Sequence, residues 1–123
     1  MKPEPTVYEP CETARMSVRV VIIQTSCPDA ASAERIAKAL VEEGLAACVS
    51  RIPGVISTYR WQGRTQVDGE ELLLIKTMMD RKDALTARLL ELHPYELPEL
   101  IVVEAAAVHG PYRDWIAAAV SAP

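Results

Sequence analysis

A chain of 123 residues fits one domain around one core. Half of the residues are hydrophobic, but no apolar run is long enough to span a bilayer, so the expected class is a soluble globular domain with no membrane partner. A formal net charge of −4 argues against a nucleic-acid partner, which would demand a broad basic surface.

Residues 1–16 hold three prolines and three glutamates with little periodicity, which predicts a loose N-terminal tail ahead of a single domain over 17–121. Met16 is an alternative start. The tail has no apolar signal-peptide core. The three cysteines, Cys11, Cys27 and Cys48, form no CxxC and no finger-like spacing. Reduced thiols in a cytoplasmic protein are expected.

The run "VRVVIIQTS" (18–26) is apolar on both faces and predicts a central, buried strand. Asp29 suits a helix N-cap. Ala33, Ile36, Ala37, Leu40 and Val41 then recur at helical spacing, with Glu34, Lys38 and Glu42 on the other face and Gly44 as a left-handed C-cap. "LAACVSRIPGVISTYRW" (45–61) is extended, and Pro53-Gly54 predicts a bend or bulge in a long strand near a sheet edge. Beyond it Val55, Ser57, Tyr59 and Trp61 share one face, and Ile56, Thr58 and Arg60 the other. "QGR" (62–64) is a candidate hairpin turn, and "EELLLIKTMM" (70–79) returns as a buried strand.

Asp80 is the expected cap of a second helix running to about Leu92, with Leu85, Leu89 and Leu92 inward. After the connector "HPYELPE" (93–99), "LIVVEAAAV" (100–108) predicts a fourth strand. Gly110-Pro111 opens a last helix whose stripe is Tyr112, Trp115, Ile116, Ala119 and Val120. The order β-α-β-β-α-β plus a C-terminal helix is an α+β, ferredoxin-like split βαβ pattern. Right-handed crossovers place both main helices on one sheet face. The last helix covers part of the other face, and partner subunits are the natural cover for the rest.

In this order of elements, "CPD" (27–29), "LAAC" (45–48), "IPGVISTYRWQG" (52–63), "LLIKT" (73–77), "HPYELPE" (93–99) and "YRDWI" (112–116) resemble the CutA family of divalent-cation tolerance proteins. The likeness runs over roughly residues 18–117. It implies a ferredoxin-like subunit in a homotrimer, similar in plan to the PII signalling proteins, with a link to copper and other divalent metals. It also directs attention to Lys76, Tyr59, Trp61, His93, Tyr95, Glu99, Tyr112 and Trp115.

As a metal ligand His93 is plausible, since neutral imidazole suits copper and zinc, and Glu96 and Glu99 add oxygen donors. A purely structural role, with the imidazole capping the second helix, weighs slightly more. Cys48 suits Cu(I), although burial among small residues is the stronger reading. Cys27, at a strand's end before a helix N-terminus, is expected to be the more accessible thiol with a lowered pKa. The metal set is therefore His93, Cys27 and Cys48, with Glu99 in reserve.

Lys76 follows a buried run and needs a partner; Glu71 is the candidate, and an anion in a cleft between subunits is the alternative. Tyr59, Trp61, Tyr95, Tyr112 and Trp115 would line that cleft or anchor an interface. No catalytic, phosphate-cradling or dinucleotide motif occurs, so no enzyme and no organic cofactor are expected. Three functions follow: a trimeric protein binding copper or a similar divalent ion, a PII-like module binding a small anion between subunits, or a structural, anchoring trimer.

Overall fold

The computed structural model describes residues 18–121. The expected tail, with Cys11 and Met16, lies outside the described residues. The elements are β1 (Val20–Cys27), α1 (Ala30–Glu42), β2 (Cys48–Trp61), β3 (Arg64–Met78), a 3-10 turn (Met79–Arg81), α2 (Lys82–Leu92), β4 (Ile101–Glu104) and α3 (Gly110–Ala119). The four-stranded sheet has the order β2-β3-β1-β4, with every neighbouring pair antiparallel. This is the ferredoxin-like split βαβ arrangement.

Apolar residues on both faces give β1 its central place. Val21, Ile23 and Cys27 point with Leu73 and Ile75 of β3 into the main core, which Ile36 and Leu40 of α1 and Leu85 and Leu89 of α2 complete. Val20 and Met78 point the other way and meet Ile116 and Val120 of α3. Both crossover helices therefore lie on one face, and α3 covers only one end of the second. Asp29 caps α1 by accepting from the Ser32 N–H at 2.8 Å, and Gly44 ends it at φ +71°.

Pro53 and Gly54 form the expected bulge. Ile52 pairs with Leu72 and Val55 with Glu70, so two residues of β2 oppose Glu71 alone. Gly54 accommodates the bulge at φ +76°. The extra residue flips the alternation of β2: Cys48, Ser50 and Ile52 before it share the second face with Val55, Ser57, Tyr59 and Trp61 after it. The hairpin closes through Gln62 (φ +50°) and Gly63 (φ +77°), a two-residue turn of type I′.

Several sequence expectations change. β3 starts at Arg64, six residues before the expected start at 70, because the tight turn keeps the polar segment "RTQVDG" paired with β2. Asp80 lies inside the 3-10 turn, and α2 begins after Arg81 without a side-chain cap bond. β4 stops at Glu104 rather than 108, since β1 offers partners only for Ile101–Glu104. Val41 of α1 is exposed. Of the α3 stripe only Ile116 and Val120 are buried; Tyr112 and Trp115 stack on each other at 5.7 Å, 41% and 50% exposed.

Candidate functional site

The connector between α2 and β4 and the far half of the β2–β3 hairpin enclose a cleft of about 850 Å³ on the second sheet face. Ser26 lies at its base, where β1 ends. Of the sequence-selected residues, Tyr59, Trp61, Tyr95 and Glu99 line it. Lys76, Cys48, Tyr112 and Trp115 do not. On β3, Lys76 lies ten residues from Gln66, the partner of Tyr59, a span of roughly 30 Å along a strand. One small ligand cannot touch both Lys76 and Tyr59 within one subunit.

His93 underlies the cleft and is 8% exposed. Pro94 stops the helix, and the His93 backbone N–H donates to the Leu89 carbonyl at 2.9 Å. The ring caps no helix. Its Nδ1 accepts from the Tyr95 N–H at 3.1 Å, so its Nε2–H donates to the Ser26 carbonyl at 2.9 Å. Burial holds its pKa below the ordinary value, opposed by the Ser26 bond. A neutral imidazole with both nitrogens engaged has no lone pair for a metal.

The thiols reverse their expected roles. Cys27 is fully buried, and burial, with Asp29 adding to it, pushes its pKa up to about 11. Its side chain faces the core under α1 rather than the loop. Cys48 is half-buried on the second face, 3.9 Å from Lys76 Nζ, which also donates to Ser50 Oγ at 2.6 Å. An ammonium in that position opposes a bound cation. Lys76 and Glu71 do not pair, because five residues of strand place them on opposite faces. Glu71 instead faces Arg51 at 3.6 Å and accepts from the Gly54 N–H at 3.3 Å, bracing the bulge.

Glu99 accepts from Gln24 Nε2 at 3.1 Å. Asp68, Glu70 and Glu96 line the same cleft, and Arg60 is the one basic residue of its lining among the described residues. Tyr95 donates its hydroxyl to Glu70 at 2.6 Å, and Tyr59 donates to Asp68. Burial, then the Glu70 bond, raises the Tyr95 pKa; for Tyr59 the bond to Asp68 is the main cause. Both phenols keep their protons. Sequence reasoning missed Asp68 and Glu70, although a two-residue turn at Gln62-Gly63 fixes the register and puts Asp68 diagonally across from Tyr59. Among the described residues, no group of three or more His, Cys, Asp or Glu is arranged to hold a metal ion. His93, Cys27, Cys48 and Glu99 do not converge.

The sequence model of the family described as CutA1 divalent ion tolerance protein matches residues 21–119. The chain belongs to the CutA1 family. It is 44% identical over 95 residues to the divalent-cation tolerance protein CutA of Thermus thermophilus, a match covering 77% of this chain and 92% of that one. To the chloroplastic CutA 1 of Oryza sativa it is 35% identical over 105 residues, or 85% of this chain, but spans only 59% of that longer protein. The solved CutA from Xylella fastidiosa superimposes with a TM-score of 0.81 at 46% identity, covering 83% of this chain and 98% of its own. In this CutA1 chain the family motifs "IPGVISTYRWQG" and "HPYELPE" form the two walls of the cleft.

Proposed function

We propose that this chain acts in divalent-cation tolerance as a homotrimeric binding protein for copper or a similar divalent ion, without a catalytic step. The observation that carries the reading is that Asp68, Glu70, Glu96 and Glu99 line one cleft, with Arg60 as the only basic residue of its lining among the described residues. Carboxylate oxygens accept divalent ions, and a concave surface of one sign concentrates counter-ions. Glu96 and Glu99 are the ligands on this subunit, and carboxylates of a neighbouring subunit complete the set. The cation-tolerance wording of the relatives supports this reading. The same charge disfavours a small anion in this cleft. A reducing, cytoplasmic setting fits the free Cys27 and Cys48.

The test is a competition titration of Cu(II) and Zn(II) against a chelator, on the native protein and on Glu96→Gln/Glu99→Gln, with the mass of each checked by sedimentation. A trimer that binds stoichiometrically, and whose double variant binds at least about tenfold more weakly, is the expected result. Equal affinity in the two proteins sinks the assignment.

A further inference from the structure

The walls that one subunit supplies to the cleft also suit a cation larger than a bare ion. Tyr59, Trp61 and Tyr95 line the same cleft as the carboxylates. Each tyrosine hydroxyl donates a hydrogen bond to a carboxylate, Tyr59 to Asp68 and Tyr95 to Glu70. Those bonds leave the phenol rings electron-rich and limit their rotation. They occupy one oxygen of each acid and leave its charge in place, so Asp68, Glu70, Glu96 and Glu99 all contribute negative potential to the cleft, against the single charge of Arg60 among the described lining residues. A metal ion needs several donors within one coordination distance, and no such group exists among the described residues. An alkylammonium needs π faces and a diffuse negative potential, with no fixed coordination geometry. The cleft also exceeds by far the volume of one hydrated ion and falls in the range of small organic ligands.

We propose that the cleft between the 93–99 connector and the β2–β3 hairpin is a binding site for an organic cation of the quaternary or primary ammonium class. Trp61 and Tyr59 face the cationic head, Tyr95 closes the side nearest β1, and Asp68, Glu70, Glu96 and Glu99 supply the counter-charge. The proposal depends on the cleft being a ligand site, as in the metal reading, but not on metal binding there.

The experiment uses the full chain with choline and tetramethylammonium as probes, read by indole fluorescence and by calorimetry. The neutral isostere 3,3-dimethylbutan-1-ol is the control, and Zn(II) is titrated in parallel. Saturable choline binding is expected, weakened about tenfold in Trp61→Leu and in Glu96→Gln/Glu99→Gln, with the neutral alcohol bound far less. Zn(II) binding is expected to fall in the double carboxylate variant but not in Trp61→Leu, so failure of the metal reading and failure of this one are told apart. Trp61→Phe, which keeps a π face, should restore most of the choline affinity and guards against a merely misfolded Leu variant. No saturable choline binding, equal affinity for the neutral alcohol, or indifference to both substitutions would overturn the proposal. So would a trimer in which a second copy fills the cleft, shown by Trp61 being shielded from a soluble quencher and by no response to either probe.

Discussion

His93 shows how much one side chain can hold when both of its polar atoms are used. Its ring ties the end of β1, through the Ser26 carbonyl, to the connector, through the Tyr95 N–H. Replacing it by Ala strands two partners, and the cost is about 2–3 kcal/mol, read as a lower midpoint in urea. The pH dependence has a definite sign. The folded pKa lies below the ordinary 6.5. Below that ordinary value the unfolded chain therefore binds more protons than the folded one, so stability is full above about pH 6.5 and falls as the pH drops toward the folded pKa. His93→Gln, which cannot titrate, should lack that component: its melting temperature declines less than the native one between about pH 7 and pH 5. Parallel profiles would show that His93 does not titrate differently on folding. The ring's position could not be read from the sequence, because Ser26 is 67 residues away. The sequence showed only that an imidazole stood where a helix ends.

At the scale of elements, the hairpin sets the site. Its turn places Gln62 at φ +50°, a conformation that crowds the Cβ of any residue but glycine against the following carbonyl and that, among the others, Asn tolerates best. Gln62→Asn is expected to raise stability by about 0.5 kcal/mol, seen as a higher melting temperature without change in ligand binding; a fall would mean that the turn is not type I′ in solution. The strands themselves were legible where pattern and punctuation agreed. The β-branched run of β1, the Asp29 cap and the Pro53-Gly54 bulge all act locally, and each stands where expected. Legibility failed where length was decided by a partner. "RTQVDG" has too little hydrophobic alternation to announce a strand, yet β2 opposes it residue for residue. "AAAV" is apolar enough to extend β4, yet β1 has already ended its pairing there. The carboxylates of the site were hidden for the same reason: Asp68 and Glu70 look like solvated surface until the register brings them beside Tyr59 and Tyr95.

For the whole molecule, the decisive feature is that β2 and β3 outrun the sheet. β1 pairs with β3 only from Glu71 to Met78, so residues 55–70 form a two-stranded ribbon with no third strand. Such a ribbon is marginal in water. Here it also carries Ile56 and Val67 on the side away from Tyr59 and Trp61, 67% and 62% exposed. Ile101 and Val103 of β4 are about half exposed on the second face, at 48% and 51%. These apolar surfaces lie where α3 does not reach, and the homotrimer we propose would cover them. Val67→Glu separates the alternatives. In an isolated subunit Val67 is a surface residue, and a charge there changes stability by no more than about 0.5 kcal/mol. In a trimer that buries the ribbon it places an unpaired carboxylate in an apolar contact, at a cost of several kcal/mol per subunit. Sedimentation of the native chain is expected to give a trimer, and of Val67→Glu a smaller species whose far-UV spectrum still shows the folded sheet. A trimer unchanged by the substitution would place the interface elsewhere, and a native monomer would leave the ribbon to be stabilised by its own cross-strand pairs, Tyr59 with Asp68 first among them.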